Sequence, residues 1–412
     1  MNGSNIKTAE ESLPAHIAGS FLFLSPLSYS FKKRGMNMAG IRVKPELKQH
    51  MKDIAKVLSI DEKLLKAADK MAESDELFCP GFAVSGQSEG PPLETLSGLS
   101  RYIRHCERIL SDDQWVKEEK VYGSQSVYEE IEKITDVFPF VTCRKIGSSV
   151  LGKPLYELKI GADTAERKVH VNASFHANEW ITTSVALKWC KEYCAALCEN
   201  KTVFGHSALD IFSLTSLSFV PLVNPDGVDL VLYGCEDLSE KNEFLHQLNE
   251  HRPDFREWKA NINGVDLNKH FPSNWIIEQR SKPKAPSYRD FPGTVPLTEP
   301  EAQAMHRLIT EQPPDRLIAL HTQGEEIYWG YEGCEPEQSS RMIREFEAIS
   351  GNRYQGVKTI DSHAGFRDWF IQQYGKEGYT IELGKGKNPL PFHQFADIYQ
   401  ATEGILWRSL VF

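Results

Sequence analysis

The chain has 412 residues, 41% of them apolar and 25% charged, and a formal net charge of −10. That is the composition of a globular protein large enough for more than one domain. The acidic balance argues against a nucleic-acid partner, and no apolar run is long enough to span a membrane.

Residues 1–40 contain no clear element and form an N-terminal extension. The nearest thing to a signal core is "IAGSFLFLSPLSYSF", residues 17–31. Ser and Pro interrupt it, and its basic residues follow instead of preceding, so it reads as not a secretory signal and a cytoplasmic location is expected. Residues 41–84 are compact. A short strand, "IRVKP", leads into "LKQHMKDIAKVLSI", where Met51, Ile54, Ala55 and Leu58 have helical spacing. Asp61 can cap a second helix, "EKLLKAADKM". "ELFCPGFAV" turns at Pro80-Gly81 into a last strand. This β-α-α-β order resembles a LysM module, a type of unit that binds the glycan of peptidoglycan or chitin. It lacks the usual Gly-Asp in "KPELKQ" and the usual Asn in "KAADKM", which leaves glycan binding and a purely packing role both open. Residues 85–117 start rich in Gly, Ser and Pro and read as a linker with a short helix, "RYIRHCERIL".

From 118 to 412 the pattern alternates. A helix, "SVYEEIEKITDVFP", precedes the strands "VTCRKIGSSV", "PLYELKIG" and "KVHVNASF". The helix "ITTSVALKWCKEYCAAL" and the strand "LTSLSFVPLVNP" follow. "TEPEAQAMHRLIT" reads as a helix with a capping box, Thr298 with Glu301. Then come the strand "DRLIALH", the helix "QSSRMIREFEAIS", the strand "GYTIELG" and a closing helix, "FHQFADIYQATEGILW". Such alternation predicts one α/β domain, a mixed sheet flanked by helices on both faces. Of the eight cysteines, Cys190, Cys194 and Cys198 share a helix face. The first and third lie about 12 Å apart at helical rise, too far for one metal ion, so they read as core residues.

The chemistry gathers at strand ends. His176 and Glu179, three apart, follow an apolar strand, where open α/β sheets place their active groups. An imidazole and a carboxylate at that spacing can grip one cation, although an ordinary polar turn would look the same. His321 ends another apolar strand, "LIALH". Two His and one Glu with a position left for water is the donor set of a catalytic zinc site. Glu382 is the one carboxylate in "GYTIELG"; it is either solvent-facing or a general base beside the metal. "REWKANINGVDLNKHFPSNW", residues 256–275, sets amide and cationic side chains around a turn at Asn263-Gly264, as either a solvated loop or an anion-recognition segment.

Together these motifs resemble the zinc carboxypeptidase family. "FHANEW", "VPLVNPDGV", "WKANINGVDLNKHF" and "ALHTQGEEIYW" occur in the family's order, and Glu382 falls 13 residues after Trp369 in "DWFIQQYGKEGYTIELG". The resemblance implies one zinc ion held by His176, Glu179 and His321, with Glu382 moving the proton. Lys259 stands where many relatives use Arg to polarise the scissile carbonyl, and keeps the charge without the fork. Asn268-Lys269 stands where carboxypeptidases clamp the terminal carboxylate with Asn-Arg. His363 stands where close relatives carry a substrate-capping Tyr. "WKAN", "GVDLN", "HTQGEEIYWGY" and the LysM-like front most resemble the bacterial γ-D-glutamyl-meso-diaminopimelate peptidases. The implied substrate is a peptidoglycan stem peptide, with carboxylates for Lys269 or a nearby Arg. Its amines would meet Glu325 and Glu326, unless those two face solvent or cap the loop. A metallocarboxypeptidase or amide hydrolase of other substrates, and a weakly active peptidoglycan-binding protein, are the alternatives.

Overall fold

A computed structural model describes residues 113–411 except 139, 162–164, 199–200, 239–240 and 360, together with residues 41–43 and 77–79. The last two segments are strands, β1 (Ile41–Val43) and β2 (Leu77–Cys79), paired antiparallel with Ile41 opposite Cys79. β1 falls in the first strand expected for the 41–84 unit, whereas β2 precedes the Pro80-Gly81 turn; the strand expected after that turn lies outside the described residues. The unit's two expected helices, the signal-like stretch and the linker helix "RYIRHCERIL" also lie outside the described residues.

The main sheet has eight strands. They are β3 (Val141–Ser148), β4 (Pro154–Ile160), β5 (Arg167–Asn172), β8 (Thr215–Val220), β9 (Arg316–His321), β10 (Glu326–Tyr328), β11 (Gln355–Val357) and β12 (Glu377–Glu382). A separate small hairpin joins β6 (Thr202–Val203) to β7 (His206–Ser207). The spatial order is β11-β10-β12-β9-β5-β8-β4-β3. The four central strands, β12, β9, β5 and β8, run parallel. At one edge β3 and β4 run antiparallel, and at the other β10 runs antiparallel to β12. The mixed sheet expected from the alternation is therefore present. Its short edge strands β10 and β11 carry too few residues for a period-2 signal to show.

Burial on both faces explains the continuous apolar runs of the central strands. Along β9, Ile318 and Leu320 enter one core, with Trp189, Tyr193, Phe346 and Trp407 from the helices Ile181–Cys198, Gln338–Ile349 and Phe395–Ser409. Leu317 and Ala319 enter the other, with Met305, Leu308, Phe366 and Trp369 from the helices Pro300–Glu311 and Phe366–Tyr374. Strand alternation thus assigns helices to both faces. Cys190 and Cys194 are buried thiols, as expected for core residues.

One local expectation is overturned. Helix Pro300–Glu311 begins at Glu299, without a side-chain cap. Thr298 is instead turned to His270, with its hydroxyl 3.0 Å from Nε2. Glu301 accepts from the Val150 backbone (3.1 Å) and from Asn261. The S/T-x-x-E spacing is real, but tertiary partners claim both side chains.

Candidate metal centre and cleft

Three parallel strands deliver the site at their carboxyl ends. Beyond β5 the chain turns sharply at Ser174, which takes a left-handed conformation (φ 53°). The buried Ser174 hydroxyl meets Thr182 (3.1 Å) and Thr183 (2.8 Å), a local hydrogen-bond return for that backbone strain. A single 3-10 turn, Ala177–Glu179, then brings Glu179 back beside His176. His321 is the last residue of β9, and Glu382, the last of β12, is its register partner.

His176, Glu179 and His321 converge, with one donor atom from each inside a 4.8 Å span, and all three are buried. His176 Nδ1 lies 2.8 Å from Glu179 Oε1, and His321 Nδ1 lies 2.9 Å from Glu179 Oε2. The two Nδ1 atoms are 3.1 Å apart. Two imidazoles facing each other through the same nitrogen, with a carboxylate between, form a donor set matched to a divalent ion. The outward nitrogens are held as well. His176 Nε2 meets Asp266 Oδ1 at 3.1 Å, and His321 Nε2 meets the Asn268 amide at 3.4 Å. Asp266, an acceptor, fixes the His176 ring with its proton on Nε2 and leaves Nδ1 free for the metal.

The charges follow from burial and proximity. Burial pushes the His176 imidazolium down, but Glu179 and Asp266 outweigh it and leave its pKa above the ordinary value. For His321 burial wins and the pKa falls. Burial and then the neighbouring Glu179 carboxylate push Glu382 up to about 8. Lys259 is cationic: burial opposes its charge, yet Asp266 (3.1 Å) and Asp290 (3.4 Å) hold its pKa above the usual lysine value.

Two hollows meet over this centre. The larger, about 470 Å³, is lined by Asn178, Glu179, Glu257, Arg289, Gln323 and Lys387 among others. The smaller, about 130 Å³, is lined by His176, His321, Asn268, Lys269, Arg367 and Thr380 among others. Lys259, Tyr328 and Glu382 line both.

Most of the residues picked out in the sequence are brought together here. Asn268 is committed within the protein, its Oδ1 accepting from the Phe366 backbone at 2.9 Å. Lys269 lines the smaller hollow and is paired with Glu278 (3.2 Å) and Ser362 (3.1 Å). His363 does not line either hollow; its Nδ1 lies 3.0 Å from the Tyr331 hydroxyl. The aromatic hydroxyl that does line both is Tyr328, which donates to Glu326 at 2.6 Å. Glu325 neither faces solvent nor is free for a substrate amine. It is buried and paired with Arg353 (2.6 Å) and Lys385 (2.9 Å). Asp266 was missed, although it stands in the motif "GVDLN".

This fold and this donor set define a metallopeptidase of the zinc carboxypeptidase type. Residues 127–403 match the zinc carboxypeptidase family, and the chain belongs to it. It is 42% identical over 289 residues to gamma-D-glutamyl-L-diamino acid endopeptidase 1 of Lysinibacillus sphaericus, covering 70% of this chain and 72% of that one. It is 62% identical over 375 residues to the Bacillus subtilis (strain 168) protein YqgT, covering 91% and 99%. A crystal structure of thrombin-activatable fibrinolysis inhibitor shares the fold, with a TM-score of 0.59 at 20% identity over 73% of this chain and 76% of that one. The protein is a zinc peptidase with a one-zinc site at His176, Glu179 and His321.

Proposed function

We propose that this peptidase hydrolyses the bond between γ-linked D-glutamate and diaminopimelate in peptidoglycan stem peptides. The observation that carries this reading is a metal centre opening into a cleft whose wall sets Lys259, Lys269, Arg289 and Lys387 among the carboxylates Glu179, Glu257, Asp368 and Glu382. A γ-linked glutamyl group keeps its α-carboxylate free, at the far end of its side chain from the scissile carbonyl, and diaminopimelate brings two more, so a cleft with several cations in its wall fits such a peptide. The relative named for γ-D-glutamyl-L-diamino acid cleavage supports the same choice.

His176, Glu179 and His321 would hold the zinc ion, which would supply Lewis acidity and acidify water toward a pKa of ~7. Glu382 takes the proton from the attacking water and passes it to the leaving nitrogen. Lys259, fixed by Asp266, presents its ammonium where the carbonyl oxygen gains negative charge. Asp266 also orients His176, so one carboxylate positions both an imidazole and an ammonium. An ordinary C-terminal clamp is disfavoured: Asn268 is already engaged by His321 and the Phe366 backbone. Lys269 offers a point charge where a fork would be needed.

The test is product analysis on L-Ala-γ-D-Glu-meso-diaminopimelate, with Glu382→Gln as control. Release of free diaminopimelate by the wild type alone is expected. An enzyme that leaves this bond intact and trims ordinary C-terminal residues would overturn the reading. The resemblance to a LysM module supports reading residues 41–84 as a glycan-binding unit, and co-sedimentation of that segment's deletion variant with purified peptidoglycan separates this from a purely packing role.

A further inference from the structure

We propose that the outer face of residues 272–295 is a docking surface for an anionic lipid membrane, which it touches without crossing. Three of the seven large apolar side chains exposed among the described residues come from this stretch: Ile276 (50%), Ile277 (43%) and Val295 (53%). The same stretch carries four cations, Arg280, Lys282, Lys284 and Arg289, in a chain whose formal net charge is −10. Its two carboxylates are matched inside the protein. Glu278 is buried and paired with Lys269 (3.2 Å), and Asp290 is paired with Lys259 (3.4 Å) and Arg289 (2.7 Å). No carboxylate among the described residues pairs with Arg280, Lys282 or Lys284, so the surface is left cationic as well as apolar.

Helix Trp275–Ser281 turns this composition outward, with Glu278 as its buried residue. At about 100° per residue, Ile276 and Arg280 lie one turn apart and nearly opposite Glu278, and Ile277 flanks them. Lys284 returns to the same helix, its Nζ donating to the Gln279 carbonyl. Trp275 Nε1 donates to the Pro292 carbonyl at 2.9 Å and holds the turn that leads to Val295 beside the helix. The face is continuous with the rim of the cleft, because Arg289 lines the larger hollow and Glu278 holds Lys269 of the smaller one. Charge and apolarity together choose the partner. A soluble polyanion would match the cations and leave two isoleucines in water. A protein interface would cover the isoleucines, but lysines are depleted in such interfaces. An anionic bilayer takes both, with aliphatic side chains below its headgroups and cations among them.

The test is co-sedimentation of the full chain with vesicles of mixed phosphatidylglycerol and phosphatidylcholine, against vesicles of phosphatidylcholine alone. Binding to the anionic vesicles is expected to be at least about tenfold tighter. Ile276→Ser combined with Ile277→Ser should weaken it at least about tenfold, and so should Arg280→Gln combined with Lys284→Gln. None of these four residues lines either hollow, so an unchanged Tm and an unchanged response to zinc show that each variant is folded. Wild-type binding that ignores lipid charge overturns the proposal. Binding that survives the isoleucine variant also overturns it, because the contact then lies in another segment. Equally tight binding of soluble polyphosphate, unaffected by the isoleucine variant, makes the face a polyanion site and overturns the membrane reading. A dimer in sedimentation equilibrium that the isoleucine variant abolishes makes it a contact between copies, and does the same. Hydrogen exchange of the wild type needs no variant: anionic vesicles should slow exchange across residues 275–281, and unchanged exchange there overturns the proposal.

Discussion

Glu179 lies buried between two imidazoles, an arrangement that is costly to leave without a cation and favourable once one is bound. Its neighbours set how tightly the cation is held. Asp266→Asn keeps the shape but removes the negative charge from His176, and should weaken zinc about 10- to 100-fold in a chelator competition. Glu382→Gln should lower kcat by about 10²–10⁴ while zinc stoichiometry stays unchanged. Away from the cleft, burial lowers the His170 pKa to about 3, and its Nδ1 is 3.0 Å from the Ser218 hydroxyl. Between pH 6.5 and about 3 the unfolded chain binds a proton there that the folded chain refuses. The stability His170 permits is thus complete above pH 6.5 and is lost as the pH falls. His170→Asn should flatten the acid limb of the unfolding free energy by up to about 1.4 kcal/mol per pH unit, read from urea titrations at several pH values. At this scale the sequence was informative wherever a polar residue closes an apolar run, as at His176, His321 and Glu382. Asp266 escaped because its partner lies 90 positions away, and no local period marks such a pair. The contact of His363 with Tyr331 was hidden for the related reason that Tyr331 belongs to another loop.

The elements that carry these residues were mostly legible, because central strands and long helices bury faces with a plain period. The misread helix start at Pro300 shows the limit. A capping spacing is a local pattern, and His270, Asn261 and the Val150 backbone, distant in sequence, took its two side chains. Close approach between elements is equally invisible until they pack. Gly378, in β12, faces helix Phe366–Tyr374 so tightly that an added Cβ would lie 2.8 Å from Ile371 Cγ1 and 3.1 Å from Arg367 Cγ. Gly378→Ala should therefore push the helix from the sheet and move Arg367. The expected cost is about 1–3 kcal/mol in denaturant unfolding. A Gly378→Ala protein as stable as the wild type would contradict this packing.

Across the whole molecule, the ligands join parts of the chain that have little else in common. His176 and Glu179 follow β5, His321 ends β9, and Asp266 comes from the segment between β8 and β9. Glu382 stands across from His321 at the end of β12, so three central strands end around one centre. A ligand held only by the folded arrangement stabilises it by mass action. At zinc one hundredfold above its Kd the gain is about 2.7 kcal/mol, which for a domain of this size amounts to several degrees in Tm. Chelation should remove that gain, and zinc should restore it. Glu179→Gln should abolish the response, because it removes the central anion of the donor set. Glu382→Gln should keep it, because Glu382 faces the cleft without holding the metal. Differential scanning calorimetry of the three proteins, each with chelator and with zinc, separates these outcomes. A Glu179→Gln protein whose Tm still rises with zinc as the wild type's does would place the ion elsewhere and remove the basis for the proposed chemistry.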